Sequence, residues 1–238
     1  MELLTKIVES VNGVLWDKNI LLFLLVGTGV WYTFQLKFIQ IRGFGEGFRR
    51  TFGGLFKRGE KADKDGMSQF QSLATAIAAQ VGTGNLAGAA TAIAVGGPGA
   101  IFWMWVSAFF GMATIYAEAT MAQKYKRIGA DGTVTGGPVY YIEAAFKGKF
   151  GKVLASFFAV FIILALGFMG NAVQSNSIAD AFDTAFGISP AVIGIILAIL
   201  SVLIFSGGIT RIAKVTETIV PIMALFYIIG ALIVILVN

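Results

Sequence analysis

No cysteine and no histidine occur in the 238 residues of this chain. Their absence rules out disulfides, thiolate nucleophiles, zinc centres and histidine acid–base chemistry. Charge is also sparse: 13% of residues are charged while 57% are hydrophobic, and the mean hydropathy is +0.81. A soluble domain cannot bury that much apolar surface, so the composition is that of an integral membrane protein. The apolar stretches do not alternate with period two, which favours helices over a barrel. The N-terminus, MELLTKIVESVNG, carries Glu2 and Glu9 and lacks a basic stretch ahead of an apolar one. It does not read as a cleaved signal peptide. No nucleophile–base pair or nucleotide loop can be found, because GTGN (82–85) lies inside an apolar segment and does not follow a strand. An enzyme is not expected. A channel is disfavoured too, for want of a charged ring or a TVGYG-like filter.

What is present is a series of six apolar segments, at 19–38, 69–95, 100–123, 152–180, 190–208 and 215–237. Each approaches or exceeds the ~20 residues that cross a bilayer. The basic residues are unevenly distributed between them. Sixteen of the eighteen Lys and Arg residues fall in three loops: Lys37 to Lys64, Lys124 to Lys152, and Arg211 with Lys214. Only Lys6 and Lys18 lie on the other side. The positive-inside rule places those loops in the cytoplasm and both termini outside. Topology accounts for the basic runs, so no nucleic-acid partner is expected.

The second segment holds AAQVGTGNLAGAA at 78–90. Gly82-Thr83-Gly84 is a weak point in a helix, since glycine costs about 1 kcal/mol there relative to alanine. The residues allow two readings. In one, Gly84-x-x-x-Gly88 is a small-residue face for close helix packing. In the other, residues 82–84 unwind near mid-membrane. Unwound carbonyls could then hold a cation, and the amides near Gly84 and Asn85 would suit a carboxylate. Asn171, Gln174 and Ser175 share one face of the fourth segment by their i, i+3, i+4 spacing. They should face a cavity or a neighbouring helix. Glu118 is expected to pair with a basic loop residue near Lys124, and Glu217 with Lys214. Pro221 is expected to kink the sixth segment. Trp31, Trp103 and Trp105 read as interfacial or packing residues. TVTGGPVYYIEAAF (133–146) predicts a short amphipathic helix on the cytoplasmic face, with proline at its start.

GGPGAIFWMWVSAFFG (96–111) resembles the signature of the sodium:alanine/glycine symporter family. QVGTGNLAGAATA, IYAEA (115–119), GGPVYYIEAA (136–145) and RIAKVTETIVP (211–221) resemble the same family, so the likeness runs across nearly the whole chain. The resemblance implies an all-α membrane protein of LeuT-type fold with six transmembrane helices in a single domain, 1–238. Residues 19–38 would be an extra first helix and 69–237 the first five-helix inverted repeat, with the second repeat absent. It implies symport of alanine or glycine across the plasma membrane, driven by sodium or protons, with no further cofactor. Substrate contacts would come from Gly82, Thr83, Gly84, Asn85, Asn171 and Gln174, and cation contacts from Ala78, Val81 and Asn85. The expected partners are a small amino acid, sodium, the bilayer and a second chain supplying the other repeat. The alternative is a non-transporting remnant or assembly subunit of the same fold.

Overall fold

The computed structural model describes residues 2–56, 67–130 and 134–237. Lys57, Arg58, Lys61 and Lys64, which contribute to the first basic loop, and Thr133 of the 133–146 stretch lie outside the described residues. The chain is an all-α membrane protein with one small hairpin. It opens with α1 (Glu2–Asn12), continues through a π-helical turn (Gly13–Asp17), and enters α2 (Ile20–Gln35). Then come α3 (Ile39–Arg42), α4 (Phe44–Phe56), α5 (Gln69–Gln80), α6 (Thr83–Gly96) and α7 (Gly99–Lys124). Strands β1 (Arg127–Ile128) and β2 (Val134–Thr135) pair antiparallel. They lead into α8 (Pro138–Ala145) and then α9 (Lys149–Ile162), which runs through a π-helical stretch (Ile163–Gly170) into α10 (Asn171–Phe186). The chain ends with α11 (Pro190–Phe205) and α12 (Gly208–Val237).

Among the described residues, three helical stretches are long and apolar enough to cross a membrane: Gly99–Lys124, Lys149–Phe186 and Gly208–Val237. A fourth is possible if Thr5–Asp17 and Ile20–Gln35, which meet at 44°, form one bent span. α11 is apolar but shorter, and the second apolar segment is divided between α5 and α6. Local chemistry explains several boundaries. Ser68 caps α5 by accepting from the Gln71 N–H at 3.1 Å, while Gln71 Oε1 accepts from the Ser68 N–H. Pro138 and Pro190 occupy first-turn positions, where the missing N–H costs nothing. α12 continues through Pro221 to Val237.

Small residues make the helix contacts. Among the described residues the buried apolar side chains are mostly alanine: Ala74, Ala113, Ala117, Ala155, Ala179 and Ala213, with Ile193 and Val220. That is how helices associate where lipid removes the hydrophobic drive between them. α2 lies along α7, and a Cβ built on Gly29 would sit 2.9 Å from the Phe110 carbonyl oxygen. Thr33, 0% exposed, closes the same seam. α5 packs on α12, α6 on α7 and α10, and α10 on α11.

Two expected ion pairs are replaced. Glu217 accepts from Gln71 Nε2 at 2.9 Å, reaching across to α5 in place of Lys214 three residues back on its own helix. None of the ion pairs among the described residues includes Glu118. Its charge instead lies near Tyr141 of α8, whose hydroxyl is pushed up by partial burial first and by Glu118 second.

Candidate functional site

The second apolar segment breaks, one residue earlier than glycine content alone predicts. α5 ends at Gln80; Val81 (φ −99°, ψ 112°) and Gly82 (φ −141°, ψ −177°) are extended; α6 begins at Thr83. Thr83 and Gly84, expected to unwind, are instead the first residues of α6. The shift follows from Asn85. Its Oδ1 accepts from the Gly82 N–H at 3.4 Å, and its own N–H donates to the Gly82 carbonyl at 3.1 Å. Asn85 thus serves the start of α6 as a third-position residue reaching back to the cap, and the helix restarts as soon as Gly82 is passed.

Gln174 of α10 crosses to the break. Its Oε1 accepts from both the Thr83 N–H and the Thr83 hydroxyl, each at 3.1 Å. The approach needs glycine at 82 for space rather than for backbone freedom. A Cβ there would lie 2.9 Å from Gln174 Cδ and closer still to Nε2. One side-chain carbonyl therefore caps the positive end of α6, where the first N–H groups have no partner within the helix. On the other side of the break, the last carbonyls of α5, from Ile77 to Gln80, have no intrahelical partner either, and the Val81 N–H satisfies only Ile77. Donors and acceptors of opposite polarity thus meet within a few residues. That arrangement can receive a carboxylate at one end and a cation at the other.

Of the residues expected to form the site, Gly82, Thr83, Asn85 and Gln174 are brought together by these bonds. Ala78 lies in the last turn of α5, and Val81 in the break itself. Gly84 takes part only by position: it is exposed, and a Cβ on it would meet nothing within 4 Å. The same holds for Gly88, so among the described residues nothing packs closely on the Gly84-x-x-x-Gly88 face. Asn171 is not brought to the break by any bond. Its Nδ2 donates at 3.0 Å to the Gly167 carbonyl, inside the π-helical stretch. π-winding shifts the pairing of main-chain carbonyls, and such bulges recur at functional sites. Nothing in the apolar run 152–180 predicts this eight-residue stretch. In hindsight, Gly167 and Gly170 near its end are the available signal.

The two halves of the broken segment have different anchors. α5 is tied to α12 by the Gln71–Glu217 bond and by Thr75 Oγ1 and Thr216 Oγ1 at 3.1 Å. α6 lies on α7 and α10. Val81 and Gly82 connect two separately held pieces, which is the geometry of a hinge.

Residues 1–238 match the Sodium:alanine symporter family throughout. The sodium/alanine symporter AgcS of Methanococcus maripaludis is 45% identical over 233 residues, covering 98% of this chain and 51% of that protein. The putative sodium/proton-dependent alanine carrier protein YrbD of Bacillus subtilis is 45% identical over 231 residues, 97% of this chain and 46% of its own. The probable sodium/glutamine symporter GlnT of Bacillus subtilis is 44% identical over 228 residues, with 95% and 46% covered. The chain thus spans about half the length of the curated relatives it matches. It belongs to the sodium:alanine symporter family, whose members are transporters and not enzymes.

Proposed function

We propose that this chain, as a member of that family, contributes the broken-helix half of the binding site in a cation-coupled amino-acid symporter of the plasma membrane. The observation that carries the reading is the break at Val81–Gly82, with Gln174 bonded across it to Thr83. Gln174 Oε1 occupies the position a carboxylate oxygen would take at the start of α6. An arriving small amino acid would displace it: the substrate carboxylate would accept from the Thr83 N–H and hydroxyl, and the Gln174 amide would turn its Nε2 toward the same carboxylate. Gly84 leaves open space beside these groups. A sodium ion would be held by main-chain carbonyls of Ala78 and Val81 with Asn85 Oδ1, at the negative end of α5. Asn171 would join the substrate side after releasing Gly167.

Six crossings fit this reading: α2, the α5–α6 pair, α7, α9–α10, α11 and α12. A LeuT-type arrangement would make α2 the extra helix and the other five one inverted repeat. Half the length of the relatives would then supply the opposing wall of the site. α5, hinged at Val81, would open and close the side toward the basic loops.

The test uses liposomes with an inward sodium gradient and labelled alanine, with this chain reconstituted alone and together with the C-terminal half of the Methanococcus maripaludis relative. Sodium-dependent accumulation is expected with both halves present and not with this chain alone. Asn85→Ala should abolish its sodium dependence. If two halves that copurify accumulate no alanine, the reading is overturned in favour of a non-transporting protein of the same fold. Accumulation by this chain alone would overturn the shared-site part of it.

A further inference from the structure

α3 and α4 are not apolar all round, and they meet the bundle mainly along α7 and α5. α2 ends at Gln35, and the chain then turns through two successive left-handed residues, Lys37 (φ 52°) and Phe38 (φ 54°). Non-glycine residues pay about 1–2 kcal/mol each for that conformation, so something must hold the turn. Gln40 does: its Nε2 donates to Thr33 Oγ1 at 2.7 Å and to the Phe109 carbonyl at 3.1 Å, pinning the start of α3 to the α2–α7 seam. The direction of α3–α4 as it leaves the end of a lipid-facing helix is therefore built in.

The two faces of this stretch differ. Ile41, Phe44 and Phe48 follow i, i+3, i+7 spacing and are 65%, 69% and 56% exposed. Phe44 and Phe48 lie side by side, their ring centroids 6.2 Å apart and the rings tilted by 32°. The opposite face carries Arg42, Arg49 and Arg50 against a single acid, Glu46. Arg49 and Arg50 both bond to the Glu46 carboxylate, so one negative charge is shared by two guanidinium groups and the face stays positive. Each guanidinium keeps further N–H donors in a fork that matches phosphate. An aromatic stripe beside an arginine-rich face, at the mouth of a lipid-facing helix, complements an anionic lipid surface in both hydrophobicity and charge.

We propose that α3–α4 is an interfacial foot that binds anionic phospholipid headgroups on the basic-loop side of the membrane. Ile41, Phe44 and Phe48 rest at the acyl boundary, and Arg42, Arg49 and Arg50 meet the phosphates. α4 also touches α5, so the bound lipid layer steadies the first half of the broken segment. This rests on the geometry of α2 to α4 and not on the transport reading.

The chain has no cysteine, so a single introduced one can carry a nitroxide label without a background. Labels at Phe44→Cys and Phe48→Cys report the stripe. One at Gly47→Cys, where a Cβ meets nothing within 4 Å, reports the flank between the stripe and the arginine face. Collision rates with oxygen and with a neutral nickel chelate give depth. In vesicles of phosphatidylglycerol with phosphatidylcholine, the two stripe labels should collide several-fold more with oxygen than with nickel, and Gly47→Cys should lie shallower than either. In pure phosphatidylcholine, or with Arg42, Arg49 and Arg50 all changed to Gln, the stripe labels should move toward water. Depth that is identical in the two lipids would overturn the proposal, and the lipid exchange needs no arginine variant that could misfold. Stripe labels shielded from both reagents would overturn it in favour of a second protein chain as occupant. Stripe labels facing water in every vesicle would leave no lipid contact at all.

Discussion

At the residue scale, the position that decides the candidate site is Gly82. Its backbone is extended, which any residue can adopt, so only the room it leaves for Gln174 requires glycine. Gly82→Ala should therefore leave the fold intact and push the Gln174 amide off Thr83. Those two exposed bonds are ones the substrate displaces, so what the variant loses on binding is the proposed contact of the Gln174 amide with the substrate carboxylate, a hydrogen bond to a charged group worth about 1.5–3 kcal/mol. Apparent alanine affinity in the reassembled transporter should fall by roughly tenfold, with the thermal midpoint of this chain little changed. The double variant Gly82→Ala/Gln174→Ala separates this account from a general one. If the clash with Gln174 is the whole effect, the double variant is no worse than Gln174→Ala alone. Additive losses would mean that Gly82 serves the site in some other way. The sequence pointed to Gly82, Thr83, Asn85 and Gln174 because glycines and amides are costly in lipid and need a reason to be there. It misplaced the unwound residues by one, since glycine content says where a helix is weak and not where a neighbouring side chain lets it restart. The partner of Glu217 was illegible for a different reason. Lys214 is three residues away along the chain, whereas Gln71 is brought close only by the packing of α5 on α12.

At the element scale, the useful contrast is between seams that are fixed and seams that can part. α2 on α7 is fixed: the backbones approach at Gly29, Thr33 is fully buried, and Gln40 bridges both helices. Gly29→Val would overpack this seam at a cost of about 1–3 kcal/mol and should lower the thermal midpoint. α5 on α12 is held by small buried residues, Ala74 and Ala213 among them, and by two polar contacts. Polar bonds between helices in membranes are worth only about 0.6–2 kcal/mol each, so this seam can be broken and remade. Thr75→Cys with Thr216→Cys tests it in the cysteine-free background. Their hydroxyl oxygens stand 3.1 Å apart, within reach of a disulfide after small rotamer changes. Oxidation should cross-link the pair in the purified chain, and in the reassembled transporter it should stop alanine accumulation until a reductant is added. Uptake that continues through a verified cross-link would show that α5 need not leave α12. Element identity was largely readable from apolar run length, which predicted α7 and α11 closely, whereas α9–α10 runs past its expected ends and α12 begins at Gly208 rather than 215. The amphipathic pieces α1 and α4 escaped that reading, because a stripe of phenylalanine between arginines is not an apolar run.

For the whole molecule, sidedness sets how every part is used. The charge pattern predicts that Arg42 to Arg50, Lys124 to Lys152 and Arg211 with Lys214 share one side of the membrane. The helices agree in one respect: α8 and the β1–β2 hairpin, which lie in the second basic loop, are tied to each other. Arg127 of β1 bonds Glu143 at 2.9 Å and stacks over the Tyr140 ring at 4.9 Å. A folded polar cap of this kind belongs in water, beside the free end of α7. If that side is the cytoplasm, α5 leads to it and α6 leads away, so the hinge at Val81 opens inward. Single cysteines at Lys126 and Lys147 should then react with an impermeant maleimide only in inverted vesicles, and one at Lys6 only in intact cells. Each site is exposed on the surface of the protein. Labelling of Lys126→Cys and Lys147→Cys from outside would reverse the chain, turn the α5 gate to face the exterior, and move the lipid foot at α4 to the outer leaflet. A single outward reaction at Lys6→Cys, with both loop sites protected, would keep the broken segment facing out through α6 and in through α5.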